Sequence, residues 1–185
     1  DSWFKHGYRK NGDMIPIVPC LGNHDGAIRE EDGTLIDLLW DAEPKDAPFF
    51  HSFFPFPGEQ GYNVVDVGDY LSVIALDTQH TNPISGVQTD WLSQILANRN
   101  DGRAIMPMLH VAPYPGYYGY WAPTNVDIRN HWTPLFTQYR VPFVLTGHNH
   151  SFTVSPPITG DTLDENGSIY VGQGASFATG VRGGK

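Results

Sequence analysis

Three short apolar runs in this sequence stop on polar clusters rich in histidine and asparagine, and they limit the possible folds more than any other feature. Residues 14–21 lead into Gly22-Asn23-His24-Asp25, residues 104–109 into His110, and residues 141–146 into Gly147-His148-Asn149-His150. Runs of this length bounded by Gly, Pro and polar residues read as buried strands. Between them, Val87, Trp91, Leu92, Ile95 and Leu96 fall on one helical face. Ile128, Trp132, Leu135, Phe136 and Tyr139 keep the same spacing, with Pro134 expected to end or kink that helix. Strand, helix, strand, helix, strand implies a layered α/β or α+β core that carries its chemistry on loops at strand ends.

The other segments are shorter. Residues 62–67 and 70–76 are β-rich and flank Gly68-Asp69, which reads as a two-residue hairpin turn. Residues 32–40 suit a short helix. Residues 48–57 hold Phe49, Phe50, Phe53, Phe54 and Phe56 among several prolines and read as irregular, while 152–155 and 168–172 read as strands. No internal repeat, low-complexity tract or linker interrupts the chain, so residues 1–185 are expected to form a single domain.

Composition narrows the function. Hydrophobic residues at 40% and charged residues at 17% supply a core and exclude a disordered chain. The net charge of −9 argues against a nucleic-acid partner, whose phosphates require clustered Lys and Arg, although a bound cation can reverse the local field. The apolar runs are far shorter than the ~18 residues of a membrane span. The lone cysteine, Cys20, rules out an internal disulfide. Asp1 opens the chain with no signal segment behind it, so the sequence is expected to be processed or a fragment.

The strand-end clusters carry the chemistry. Two histidines at i and i+2, if extended, project from one face and can aim two imidazoles at a point. Imidazole suits Zn, Fe, Mn or Ni, and an amide or carboxylate oxygen can complete the shell. Each motif alone is weak, because Asn and Asp are common turn formers. Delivery of all three to neighbouring loops of one sheet needs a single cause, a metal site.

The ordered trio Gly22-Asn23-His24-Asp25, His110 and Gly147-His148-Asn149-His150 resembles the calcineurin-like metallophosphoesterases, in particular their purple acid phosphatase-like branch. Ile74-Ala75-Leu76-Asp77-Thr78 and Gln88-Thr89-Asp90-Trp91-Leu92 support the resemblance, which spans residues 3–174. It implies a four-layer sandwich of two mixed β-sheets flanked by helices, and hydrolysis of a phosphate-ester substrate by water activated on two metal ions (Fe, Zn or Mn). Asn23, His110 and His148 would hold one ion and His150 the other. His24 would face the substrate phosphate as the catalytic imidazole, with Asp25 orienting its ring. A secreted or periplasmic setting accompanies the resemblance.

The family pattern opens with aspartate motifs that bind the first ion and bridge both, and neither stands upstream of Gly22. Gly12-Asp13 lies too close to the following run to replace them and reads as a turn, as does Gly68-Asp69. Residues 1–4 resemble the helix after the absent Gly-Asp loop. The sequence is therefore expected to start inside the domain, with the N-terminal part missing or supplied as a separate segment that completes the site. The runner-up is a catalytically silent fragment or binding subunit that keeps the fold.

The loop Tyr114-Pro115-Gly116-Tyr117-Tyr118-Gly119-Tyr120-Trp121 replaces the histidine pair of plant-type relatives and suits either stacking on a substrate or surface packing. Phe152-Thr153-Val154 replaces their Tyr-Glu-Arg run. His6, His51, His80 and His131 match no family position and read as surface or satisfied histidines. The glycine-rich end lacks a Gly-Lys-Ser/Thr ending, and no Gly-x-Ser-x-Gly elbow exists.

Overall fold

The run Leu71-Ser-Val-Ile-Ala-Leu76 combines β-branched residues with apolar side chains on both faces, as a central strand requires. In the computed structural model, which describes residues 7–116 and 119–173, it is β4 (Leu71–Leu76) of a six-stranded mixed sheet. The other strands are β3 (Asn63–Val67), β5 (Ala104–Leu109), β6 (Phe143–Thr146), β7 (Thr153–Val154) and β10 (Ile169–Gly172), in the order β3-β4-β5-β6-β10-β7. Strands β4, β5, β6 and β10 are mutually parallel, and β3 and β7 are antiparallel edges. Helix α2 (Val87–Asn98) connects β4 to β5, and α3 (Pro123–His131) with α4 (Thr133–Gln138) connects β5 to β6.

These helices cover one face of the sheet. Leu92 and Leu96 of α2, Ile128 of α3, Trp132 between the two helices and Phe136 of α4 form one buried cluster with Ile74, Leu76, Ile105, Leu109, Val144 and Tyr170. Burying such side chains stabilises the fold by roughly 1.5–3 kcal/mol each. Trp132 donates its indole N–H to Thr89 Oγ1 at 2.9 Å, which removes the cost of burying that group. The opposite face presents Ala75, Met108, Leu145 and Val171 in one register row. The mixed α/β class is therefore as the sequence implied, and the described residues build one of the two large sheets of the expected sandwich. Two further sheets are two-stranded: β1 (Ala27–Arg29) with β2 (Leu35–Leu38), and β8 (Ile158–Thr159) with β9 (Thr162–Leu163).

Helix α2 and strand β5 coincide with their sequence-derived bounds. The 62–76 hairpin pairs Val67 with Leu71, so its loop has three residues, Gly68 to Tyr70, rather than two. Pro134 divides the expected second helix into α3 and α4, where it occupies the start of the new helix and needs no N–H partner.

Three expectations fail. Among the described residues, 14–21 join no ladder beyond an isolated Tyr8–Met14 bridge, and Pro16 and Pro19 lack the N–H groups that pairing needs. Residues 32–40 form no helix. Asp32 Oδ1 accepts the Thr34 N–H at 2.9 Å and Gly33 adopts φ +88°, so the chain turns and returns as β2. Residues 48–57 are not wholly irregular: Pro48 opens the short helix α1 (Pro48–Phe53), and Pro55 and Pro57 fall beyond its end. The expected helix at residues 1–4, His6, Tyr117, Tyr118 and the final glycine-rich stretch lie outside the described residues.

Among the described residues no helix is long and apolar enough to cross a membrane. One polar network fastens the edge hairpin to α2. Arg99 donates from Nε and Nη2 to the two Asp66 oxygens at 2.9 and 2.7 Å, and buried Ser72 donates to Oδ1 at 2.6 Å. These bonds hold the Asp66 carboxyl at about 2, below its ordinary 3.8. The stabilisation is present above the ordinary value and is lost as pH falls through the lowered one. Asp66→Asn is expected to cost ~0.5–1 kcal/mol at pH 7, discounted for a partly exposed pair, and to cost nothing near pH 2. Urea unfolding at both pH values checks this, and an equal deficit at each would contradict it.

Candidate metal centre

The parallel register brings the strand-end clusters together. Leu76 pairs with Leu109 and Leu109 with Thr146, so Asp77, His110 and Gly147 leave the sheet side by side at its C-terminal edge. The Gly147 N–H donates to the His110 carbonyl at 2.9 Å and extends that ladder by one step. Ligand sites of open α/β sheets lie at this edge.

Asn23, His110 and His148 meet there. His110 Nε2 is 2.9 Å from Asn23 Oδ1 and 3.2 Å from His148 Nδ1. Gly22 permits this approach, since a Cβ there would stand 2.7 Å from His110 Nδ1. Burial, assisted by the nearby His80, His148, His24 and His150 rings, pushes the His110 pKa down to about 2. Its imidazole is therefore neutral at ordinary pH, the form that binds metal.

The turn after β6 is not extended. His148 adopts φ +64° and His150 φ +50°, so two non-glycine residues occupy the left-handed region at a cost on the order of 1 kcal/mol each. The reading of these histidines as an extended i, i+2 pair is thus corrected: the loop reverses sharply, and only His148 has a close contact with His110. His150 and His24 lie close enough to add to the lowering of the His110 pKa. Asp25 makes no ring-orienting hydrogen bond to His24. Its carboxylate accepts the Gly22 N–H at 2.7 Å, closing the Gly22–Asp25 turn, and burial raises its pKa despite that bond and the neighbouring His24.

Donors bound to one ion at ~2.0–2.2 Å stand roughly 3 Å from one another. The separations around His110 fit one metal held by two imidazoles and an amide oxygen. Among the described residues no three His, Cys, Asp or Glu side chains converge on a point, so the amide of Asn23 is needed for the third donor, and no carboxylate is placed to bridge two ions.

Residues outside the motifs hold this arrangement. His80 is wholly buried, its ring 5.1 Å from that of His110 and 4.6 Å from that of Trp40, which in turn lies 5.8 Å from His148. A directed chain satisfies every polar atom: the Val111 N–H donates to Thr78 Oγ1, Thr78 donates to His80 Nε2, and His80 Nδ1 donates to the Leu39 carbonyl. His80 is thus a satisfied histidine, as its sequence setting suggests, yet it also backs a site imidazole. Its only sequence signal is its place just past Asp77, whose buried carboxylate accepts the N–H groups of His80 and Thr81.

The loop after His110 packs on α3. The Arg129 guanidinium lies 3.9 Å from the Tyr120 ring centre and donates to the carbonyls of Pro113 and Tyr120, both at 2.6 Å. Tyr114 donates to the Gly160 carbonyl, and Tyr120 to Asp161 at 3.0 Å. Surface packing therefore describes Tyr114 and Tyr120, whereas Trp121 is 81% exposed.

A family model for calcineurin-like phosphoesterases matches residues 1–152. The chain belongs to that family. No curated protein matches it. Among solved structures it is similar to a purple acid phosphatase from yellow lupin (Lupinus luteus) seeds, at 17% identity and a TM-score of 0.63, over 84% of this chain and 30% of that one. The anchor protein GAP50 of the Plasmodium inner membrane complex aligns at 15% identity and a TM-score of 0.45, over 67% of this chain and 39% of that one. This chain thus spans about a third of the length of these structures, and its likeness to the lupin protein is one of fold.

His80→Ala is expected to lower unfolding free energy by ~2–4 kcal/mol, because it opens a cavity and strands the Leu39 carbonyl and the Thr78 hydroxyl. Denaturant unfolding measures it; a loss below ~1 kcal/mol would show that the ring bears little of the site.

Proposed function

We propose that the domain to which this chain contributes hydrolyses phosphate esters with metal-activated water. The observation that carries the reading is the meeting of Asn23 Oδ1, His110 Nε2 and His148 Nδ1 at the edge of a parallel sheet. In this reading these three side chains hold one metal ion and His150 contributes to a second. Bound metals supply polarisation of the phosphoryl oxygens and a water of lowered pKa.

The protein's own groups do the rest. Burial keeps His110 neutral and able to ligate. His24 is exposed on the loop beside Asn23, where it is free to donate a proton to the leaving oxygen, a contribution of ~10²–10⁴-fold. Asp25 fixes the turn that presents His24, through its bond to the Gly22 N–H. The chain's neighbours belong to much longer proteins, so substrate preference, partners and a secreted or periplasmic setting remain part of this proposal.

A second reading is favoured by the donor count: no carboxylate joins the Asn23–His110–His148 set among the described residues, as a binding protein that keeps the fold without turnover would allow. Metal stoichiometry separates the two. A phosphoesterase is expected to hold near two ions per chain and to turn over p-nitrophenyl phosphate or its bis ester; one ion or none without turnover supports the silent reading. In an active protein, His148→Ala should cut turnover by at least ~10²-fold and lower metal content. His24→Ala should slow turnover with metal content intact. Equal metal loss in both variants would overturn the assigned roles.

A further inference from the structure

An open cleft of about 530 Å³ begins at His24 and Asp25 and runs between two walls: Gly26, Ala27 and Arg29 on one side, and Lys45, Asp46, Pro48 and Phe49 on the other. Its chemistry is uncommon for this molecule. The chain has 11 Lys and Arg against 20 Asp and Glu, yet two of those cations face this cleft. The carboxylates that line it are already engaged by backbone groups: Asp25 accepts from Gly22 N–H at 2.7 Å and Asp46 from Glu43 N–H at 3.0 Å. Arg29 gives one N–H to the Gly33 carbonyl at 2.9 Å, leaving the other edge of its guanidinium available. Lys45 meets Glu43 at 2.7 Å, but both side chains are exposed and such a pair exchanges readily for a ligand anion. Phe49 is 73% exposed, a large aromatic ring turned to solvent on the cleft wall.

The separation of the walls is built in. A Cβ on Gly26 would stand 2.2 Å from the Asp46 carbonyl oxygen and 2.9 Å from Ala47 Cα. Only glycine lets the segment of Lys45 and Phe49 approach the β1 wall this closely.

Resting on the hydrolase reading above, we infer that this cleft is the leaving-group subsite, and that the ester it takes carries a planar apolar leaving group bearing a second anionic group. Phe49 covers the planar part, and Arg29 and Lys45 receive the distal anion. His24, at the mouth, faces the bond between phosphorus and the leaving oxygen. Arg is suited to bidentate contact with a carboxylate or phosphate, and Lys adds a point charge.

The test compares phenyl phosphate with 4-carboxyphenyl phosphate on the metal-loaded protein, and calorimetric binding of benzylphosphonate with that of its 4-carboxy derivative, neither of which is hydrolysed. The expected result is that the Arg29→Gln, Lys45→Gln double variant lowers the ratio of kcat/KM for carboxylated over plain substrate by about tenfold, with a similar fall in the affinity ratio of the phosphonates. Glutamine keeps much of each side-chain stem, so the double variant should fold. Ratios that do not move overturn the subsite and leave the hydrolase reading standing. Absence of turnover of either ester, with the phosphonate preference present and lost in the variant, overturns the hydrolase reading and supports the subsite as an anion-binding cleft.

Discussion

The site depends on strand register. Because Leu76, Leu109 and Thr146 share one row, the residues that follow them emerge together, and His110 needs no long side chain or flexible loop to reach His148. A slip of one residue in β5 would turn His110 to the other face of the sheet. Such slips are opposed by the buried cluster, since the same shift would move Ile105 and Leu109 out of the helix-covered core and put Met106 and Met108 in their place. Core packing and ligand placement are thus a single constraint.

Desolvation then sets the chemistry. Four rings, Trp40, His80, His110 and His148, contact one another edge to face in a closed circuit. Excluding water from this group disfavours protonation, and the adjacent imidazoles disfavour it further, so His110 stays neutral. His80 has the same need and meets it differently: its two nitrogens are assigned by a donor on one side and an acceptor on the other. The backing ring is fixed by hydrogen bonds, while the site ring is left with its Nε2 toward Asn23 and His148. That division separates the supporting ring from the site ring.

The large sheet, its helix α2 and the three polar clusters are legible in the sequence because each rests on a periodic pattern or a local motif, although only the clusters at His110 and at Gly147–His150 follow strands. His110 and His148 can be grouped from residue order alone, since the parallel strands β5 and β6 bring their ends to one edge, whereas Asn23 reaches them from a run that joins no strand ladder. The features that escape a sequence reading share a different cause. The β1–β2 hairpin depends on Gly33 and the Asp32 turn, a local bond that outweighs the weak helical spacing of residues 32–40. The left-handed backbone at His148 and His150 has only a weak signal in residue type, since histidine adopts it more often than most residues yet still seldom. The tie between His80 and the site arises from packing across distant segments, against Trp40 and His110, which no spacing rule encodes.

The cleft and the cage are supported by different parts of the molecule. His110 and His148 follow strands β5 and β6, whose inner residues are locked into the main core, so their positions tolerate little change. The cleft walls belong instead to β1 and to the segment that runs from Lys45 into the first turn of α1, beside a separate small cluster of Leu21, Leu39, Ala47 and Phe50. The two regions meet at Gly22–Asp25: Leu21 sits in the small cluster, Gly22 packs against His110, and Asp25 lines the cleft. Substitutions on the cleft walls can therefore alter the cleft without disturbing the Asn23–His110–His148 arrangement, whereas a side chain added at Gly22 would crowd His110 directly. Under the proposed function, the peripheral cluster is the place where one set of site residues can be matched to different ligands.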